Sequence, residues 1–177
     1  MNKLNIMKII NTLLLLFISS SIFSQGIFDK FYEMDKVSTI VINQKMFRML
    51  AEMNLQSNKS SENILLDHVK NLKTLKVYTT TDIKVSKLML TDFHKHIKIN
   101  NLEEIMQEQI NRKIIKIFVD SLSDQQYVNE LLMLVNDESS ETVLLSLTGN
   151  INLVTASNII KGLGIIAENQ LQDAFGK

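Results

Sequence analysis

Thr142-Val143-Leu144-Leu145-Ser146-Leu147-Thr148, with the run Tyr127 to Val135 before it, decides how this chain folds. Val143, Leu145 and Leu147 alternate with their neighbours, the period of a strand with one buried face. Tyr127 to Val135 is an apolar run of strand length, and Asn136 to Glu141 between the two is a polar turn of hairpin length. Gly149-Asn150 punctuates the end of the second strand. Asn152 then stands where a helix cap belongs, ahead of Leu153, Ala156, Ile160 and Leu163, with Gly162 and Gly164 breaking that helix. A strand, a turn, a strand and a capped helix in one phrase point to antiparallel pairing.

Upstream, Ile114 to Val119 reads as a strand, followed by a polar turn at Ser121 to Gln126. Leu75 to Thr80 is another, and Asp82 is placed to cap a helix whose stripe is Val85, Leu88, Met89, Phe93 and Ile97. Val37 to Ile42 is rich in β-branched residues and reads as a strand. Lys45 to Leu55 switches to helical spacing, with Met46, Met49, Leu50 and Met53 on one face. Thioethers suit monovalent copper, but methionine also fills core gaps, and the expected role of this stripe is core packing. After the polar loop Gln56 to Ser61, Ser60 or Ser61 caps a helix carrying Leu65, Leu66, Val69 and Leu72. Phe28, Phe31 and Tyr32 in the lead-in Gln25 to Asp35 suit one helical turn docked on the domain, or an exposed aromatic anchor for a partner. Leu102 to Ile110 fits a helix by spacing alone.

The pattern predicts an α+β domain: a mostly antiparallel sheet with helices packed chiefly on one face, in two layers. Residues 25–164 form the single domain, and 165–177 a tail. Residues 1–24 read as a secretory signal peptide: Lys3 and Lys8 give a basic start, Ile9 to Ile22 is mostly apolar, and Ser24-Gln25 is the expected cut. The alternative is an uncleaved anchor, for which the apolar stretch is short against the roughly 20 residues a span takes. Export places the chain in the periplasm or cell envelope, away from nicotinamide cofactors and ATP. No later stretch is apolar for long enough to span a membrane. The chain contains no cysteine, so it is expected neither to carry a lipoprotein lipid nor to hold a disulfide. Removing Lys3 and Lys8 from the 19 basic residues leaves 17 against 19 acidic, a net of −2. No basic stripe suggests nucleic acid; Lys84, Lys87, Lys95 and Lys98 read as a solvated helix face.

Motifs for chemistry are scarce. His94 and His96 are two apart on a predicted helix, where side chains two apart diverge. A metal there would need Asp92 and the distant His68 to complete it. No Gly-x-Ser-x-Gly elbow occurs, and Ser146 has no histidine near it in sequence, on a face that alternates with the buried one. Glu103 and Glu104 would point to opposite faces of a strand, Asp120 and Asp124 bracket a turn, and Asp137, Glu138 and Glu141 crowd the hairpin. All read as solvated carboxylates. Gly149-Asn150 lacks the further glycines and the lysine that a phosphate loop requires. No catalytic, cofactor or metal residue is therefore expected.

Four phrases resemble DUF4252, a family of envelope proteins of unknown function found mainly in the Bacteroidetes. They are Phe28-Asp29-Lys30-Phe31-Tyr32, Ile42-Asn43-Gln44-Lys45-Met46-Phe47, Glu130-Leu131-Leu132-Met133-Leu134-Val135 and Leu145-Ser146-Leu147-Thr148-Gly149-Asn150-Ile151-Asn152-Leu153. The resemblance implies an exported chain and favours a strand over Leu102 to Ile110; it carries over no functional residue. The function expected is that of a noncatalytic envelope protein that binds a partner protein through an exposed apolar patch at Phe28, Phe31, Tyr32 or Phe175. The alternative is a small-ligand or metal binder, with or without hydrolytic activity, using Asp92, His94 or His96.

Overall fold

A computed structural model describes residues 26–54, 69–110, 112–120, 127–137 and 140–164. The expected leader, residues 56–68 of the expected loop and helix with His68, the turn at 121–126 with Asp124, Glu138, and the tail 165–177 with Phe175 lie outside the described residues, whereas Leu72, expected in that helix, begins a strand instead.

After a single 3₁₀ turn at Asp29–Phe31, the elements run β1 (Ser38–Asn43), α1 (Gln44–Asn54), β2 (Leu72–Thr80), α2 (Ile83–Asn100), β3 (Glu103–Ile110), β4 (Lys113–Val119), β5 (Tyr127–Asp137), β6 (Thr142–Asn152) and α3 (Leu153–Gly162). The strands form one sheet in the order β1-β2-β6-β5-β4-β3, and every neighbouring pair is antiparallel. This is the expected α+β class, and the segment at Leu102 to Ile110 is the strand that the family resemblance favoured. Strands β3 to β6 form a meander. The link from β2 to β3 must cross four strand spacings, roughly 19 Å. The 18 residues of α2, roughly 27 Å long, make that crossing over one face of the sheet.

Helices lie on both faces of the sheet, α1 and α3 on one and α2 with the lead-in on the other. Phe47 of α1 and Ala156 and Ile160 of α3 pack with Leu75, Val77, Ile117, Met133 and Leu145 on one face. Met89 and Phe93 of α2, with Phe28 and Phe31 of the lead-in, pack with Tyr78, Phe118, Leu132, Leu134 and Leu144 on the other. The reason lies in β5, where Leu131 to Val135 are all buried. Consecutive apolar residues on a strand point to opposite faces, so both need cover.

Strand β6 does not end at Gly149-Asn150. It runs on to Asn152, and the two residues form an irregularity within it: Val128 pairs Ile151 while Glu130 pairs Thr148. Opposite, Leu72 pairs Gly149 and Thr74 pairs Thr148, leaving Lys73 as the extra residue of β2. Gly149 has φ of +133°, and a Cβ there would lie 2.6 Å from Lys73 N and 2.7 Å from Asn71 O. Glycine serves here to let two backbones meet. The predicted caps that fall on described residues are made. Asp82 accepts from Lys84 N and Val85 N, and Asn152 accepts from Val154 N and Thr155 N.

Candidate functional site

The histidine cluster does not form. His94 is exposed, and its Nδ1 lies 2.7 Å from the Leu90 carbonyl oxygen one turn back on α2. His96 turns inward, its Nε2 2.6 Å from Oε1 of Glu130 on β5 and its ring 5.0 Å from that of Phe28. Asp92 is buried against Lys30 at 2.5 Å. Three groups that neighbour each other in sequence thus face three ways, and among the described residues no three His, Asp or Glu side chains gather to hold a metal ion.

What these groups do is fasten the lead-in and α2 to the sheet. Lys30 reaches Asp92, Lys76 of β2 pairs with Asp29, and Lys36 pairs with the cap residue Asp82 at 2.6 Å. The Lys36 hydrogen bond, with those from the Val85 and Lys84 amides, holds the Asp82 carboxyl below the usual carboxylate range. The same bond raises Lys36 above its ordinary value. Tyr78 lies beneath this layer, fully buried; burial first, and then the negative charge of Asp29, push its phenol up to about 12. Sequence reasoning missed these pairs. The available signal was Lys76, a lysine alternating with Leu75 and Val77 in a strand, which needs a counter-ion if its face is covered.

Asp120 accepts hydrogen bonds from the Asn129 and Glu130 amides and from Asn129 Nδ2, at 2.7, 2.9 and 3.0 Å, so it braces the start of β5. Glu103 and Glu104 do point to opposite faces, opposite Val119 and Phe118. Lys84, Lys87, Lys95 and Lys98 are exposed, as expected of a solvated face. Ser146 is buried at 8 % exposure, because its face is covered too. At the start of α2, Ser86 Oγ, Thr142 Oγ1 and Asn136 Oδ1 form a chain at 2.6 and 2.8 Å beside an open cleft of about 360 Å³.

Among the described residues the expected aromatic patch is reduced to Tyr32, and a second set of exposed apolar side chains lies on α1 and β1. Phe28 and Phe31 are buried, leaving Tyr32 exposed. On α1 the expected core stripe is reversed: Phe47 and Ala51 are buried, while Met46, Met49 and Leu50 are 49, 51 and 43 % exposed. At 100° per residue, the centre of the Phe47–Ala51 pair lies well over 90° from that of Met46, Met49 and Leu50. The charged Arg48 and Glu52 take the other flank. Just before α1, Ile40 and Val41 of the outermost strand β1 are also exposed.

With this architecture established, comparison with known families is decisive. A family model described as a domain of unknown function, DUF4252, matches residues 31–159. The chain belongs to the DUF4252 family. The matched span opens at Phe31, buried in the lead-in, and closes at Ile159 in α3, so the whole DUF4252 sheet and the exposed residues of β1 and α1 fall within it. No curated protein and no solved structure matches the chain. No helix among the described residues of this DUF4252 domain is long and apolar enough to cross a membrane.

Proposed function

We propose that this DUF4252 protein is an exported envelope protein that works by binding another protein rather than by catalysis, and that α1 is the element it presents. One observation carries the reading: Met46, Met49 and Leu50 form an apolar stripe turned away from the core that Phe47 enters. Exposed methionine and leucine at helical spacing suit insertion into a partner's groove, and methionine adapts its shape to what it meets. The basic, apolar start of residues 1–24 supports export.

The test is a photo-activatable cross-linker at position 49, in cells that make the full chain. The expected result is a discrete adduct with another protein in the envelope fraction, absent when the cross-linker replaces Lys87 on α2. No adduct at position 49, or an unprocessed chain among cytosolic proteins, would reject the reading. The alternative, a small-ligand binder, draws on the cleft beside Ser86, Thr142 and Asn136. It predicts that Ser86→Ala alters binding of a small polar compound while the position-49 adduct stays unchanged.

A further inference from the structure

The two edges of the sheet are built differently. At the β3 edge, Glu103, Glu104 and Glu108 bring charge, and the ladder to β4 slips between Glu104 and Met106. Charge and bulges are means by which an edge strand is kept from pairing with another chain. Strand β1 has neither. Its sequence, Ser-Thr-Ile-Val-Ile-Asn, contains no charge, proline or glycine, and its ladder to β2 runs over all six residues without a shift. Among the described residues, no strand pairs with its outer rim. Ile40 is 49 % exposed on the face of Val77, and Val41 is 40 % exposed on the face of Lys76. An added strand would therefore meet apolar side chains above and below.

The charges flanking β1 say what that strand is. Glu33 and Asp35 are exposed before it, and Lys45 and Arg48 are exposed in the first turns of α1 after it, with the exposed Glu52 one turn further along, while Lys36 is engaged by Asp82. A second copy laid antiparallel brings an acidic end to a basic end twice, once at each end of the pairing. A parallel copy would set like against like, which opposes association. The two-fold axis of such a pair stands perpendicular to the sheet and keeps every residue on its own face. Centred on Ile40, it sets Ile40 opposite its counterpart and Thr39 opposite Val41.

We propose that β1 is a self-pairing edge: two copies join antiparallel through Ser38–Asn43 into one sheet running through both subunits. This goes beyond the reading of α1, and the two can fail separately.

Sedimentation equilibrium of the purified protein, made from the full chain, tests it. The expected mass is twice that of one chain. Ile40→Lys, at an exposed position, should weaken association at least tenfold, and Glu108→Lys at the far edge should leave it unchanged. A variant with Lys45→Glu and Arg48→Glu has two acidic ends, and one with Glu33→Lys and Asp35→Lys has two basic ends. Each alone should be monomeric, and their mixture should form a mixed dimer. Circular dichroism matching the parent shows that each variant is folded. A monomer at concentrations up to about 1 mM, the weak end of useful affinity, overturns the proposal. So does a dimer indifferent to Ile40→Lys, or a pair of charge variants that do not combine. If the protein is monomeric but its position-49 adduct persists, self-pairing is rejected and the reading of α1 stands.

Discussion

Gly149 is a single residue on which three strands depend. It lies in β6 where the ladders to β2 and β5 both lose register, and its φ of +133° is a value that side chains other than hydrogen rarely accept. The space is closed as well, since the nearest obstacles are backbone atoms of Asn71, Leu72 and Lys73. Gly149→Ala should cost about 3 kcal/mol, read as a lower urea midpoint, with far-UV dichroism retained below the transition. Tyr78 gives a second prediction at this scale. The folded state holds its phenol proton more tightly than the unfolded chain does, about 12 against about 10. Its contribution to stability is therefore complete below about pH 10 and is lost as pH rises toward 12. Tyr78→Phe should flatten that loss in denaturation curves taken across the window.

Helix α1 shows how an element can be read correctly and its orientation missed. Its bounds, Gln44–Asn54, follow the helical spacing in the sequence, but the buried pair is Phe47 and Ala51. Two stripes overlap in this segment. Met46, Met49, Leu50 and Met53 are the more numerous, and periodicity measures apolar content without saying which stripe a tertiary neighbour will occupy. Phe47→Ala should destabilise by about 3–5 kcal/mol, whereas Met49→Ala should stay within about 0.5 kcal/mol in the same urea titration. Comparable losses would restore the orientation that the sequence suggested. Elsewhere, local chemistry was legible: Asp82 and Asn152 cap the helices that follow them, and Val143, Leu145 and Leu147 share a face. The strand end expected at Gly149-Asn150 did not fall there, because a glycine that ends a strand and one that admits a second backbone look alike in a linear sequence. The divergence of His94 and His96 was legible from helical geometry. Their partners were not: Leu90 is local to His94, but Glu130 lies 34 residues from His96.

At the scale of the described residues, the sheet is buried on both faces and bounded by unlike edges, one charged and bulged, the other uncharged and regular. Burial on two sides leaves the outer rims as the places where its backbone remains open to another chain. The order β1-β2-β6-β5-β4-β3 also sets how the molecule folds. Its β2–β6 ladder joins Thr74 to Thr148, with their hydroxyl oxygens 2.7 Å apart across 74 residues of chain. Pairing over such separations is slow, so refolding from urea should take milliseconds to seconds in stopped-flow fluorescence of the tyrosines. Leu145→Ala, on the partner strand, should lower both the refolding rate and the urea midpoint. The same ladder has a meaning during synthesis. When β2 leaves the ribosome, its neighbour β6 has not been made, and at about 5–20 residues per second the wait is roughly 4–15 s. Through that interval the nascent polypeptide cannot close its own sheet, and β2 has only β1, already made, to pair with.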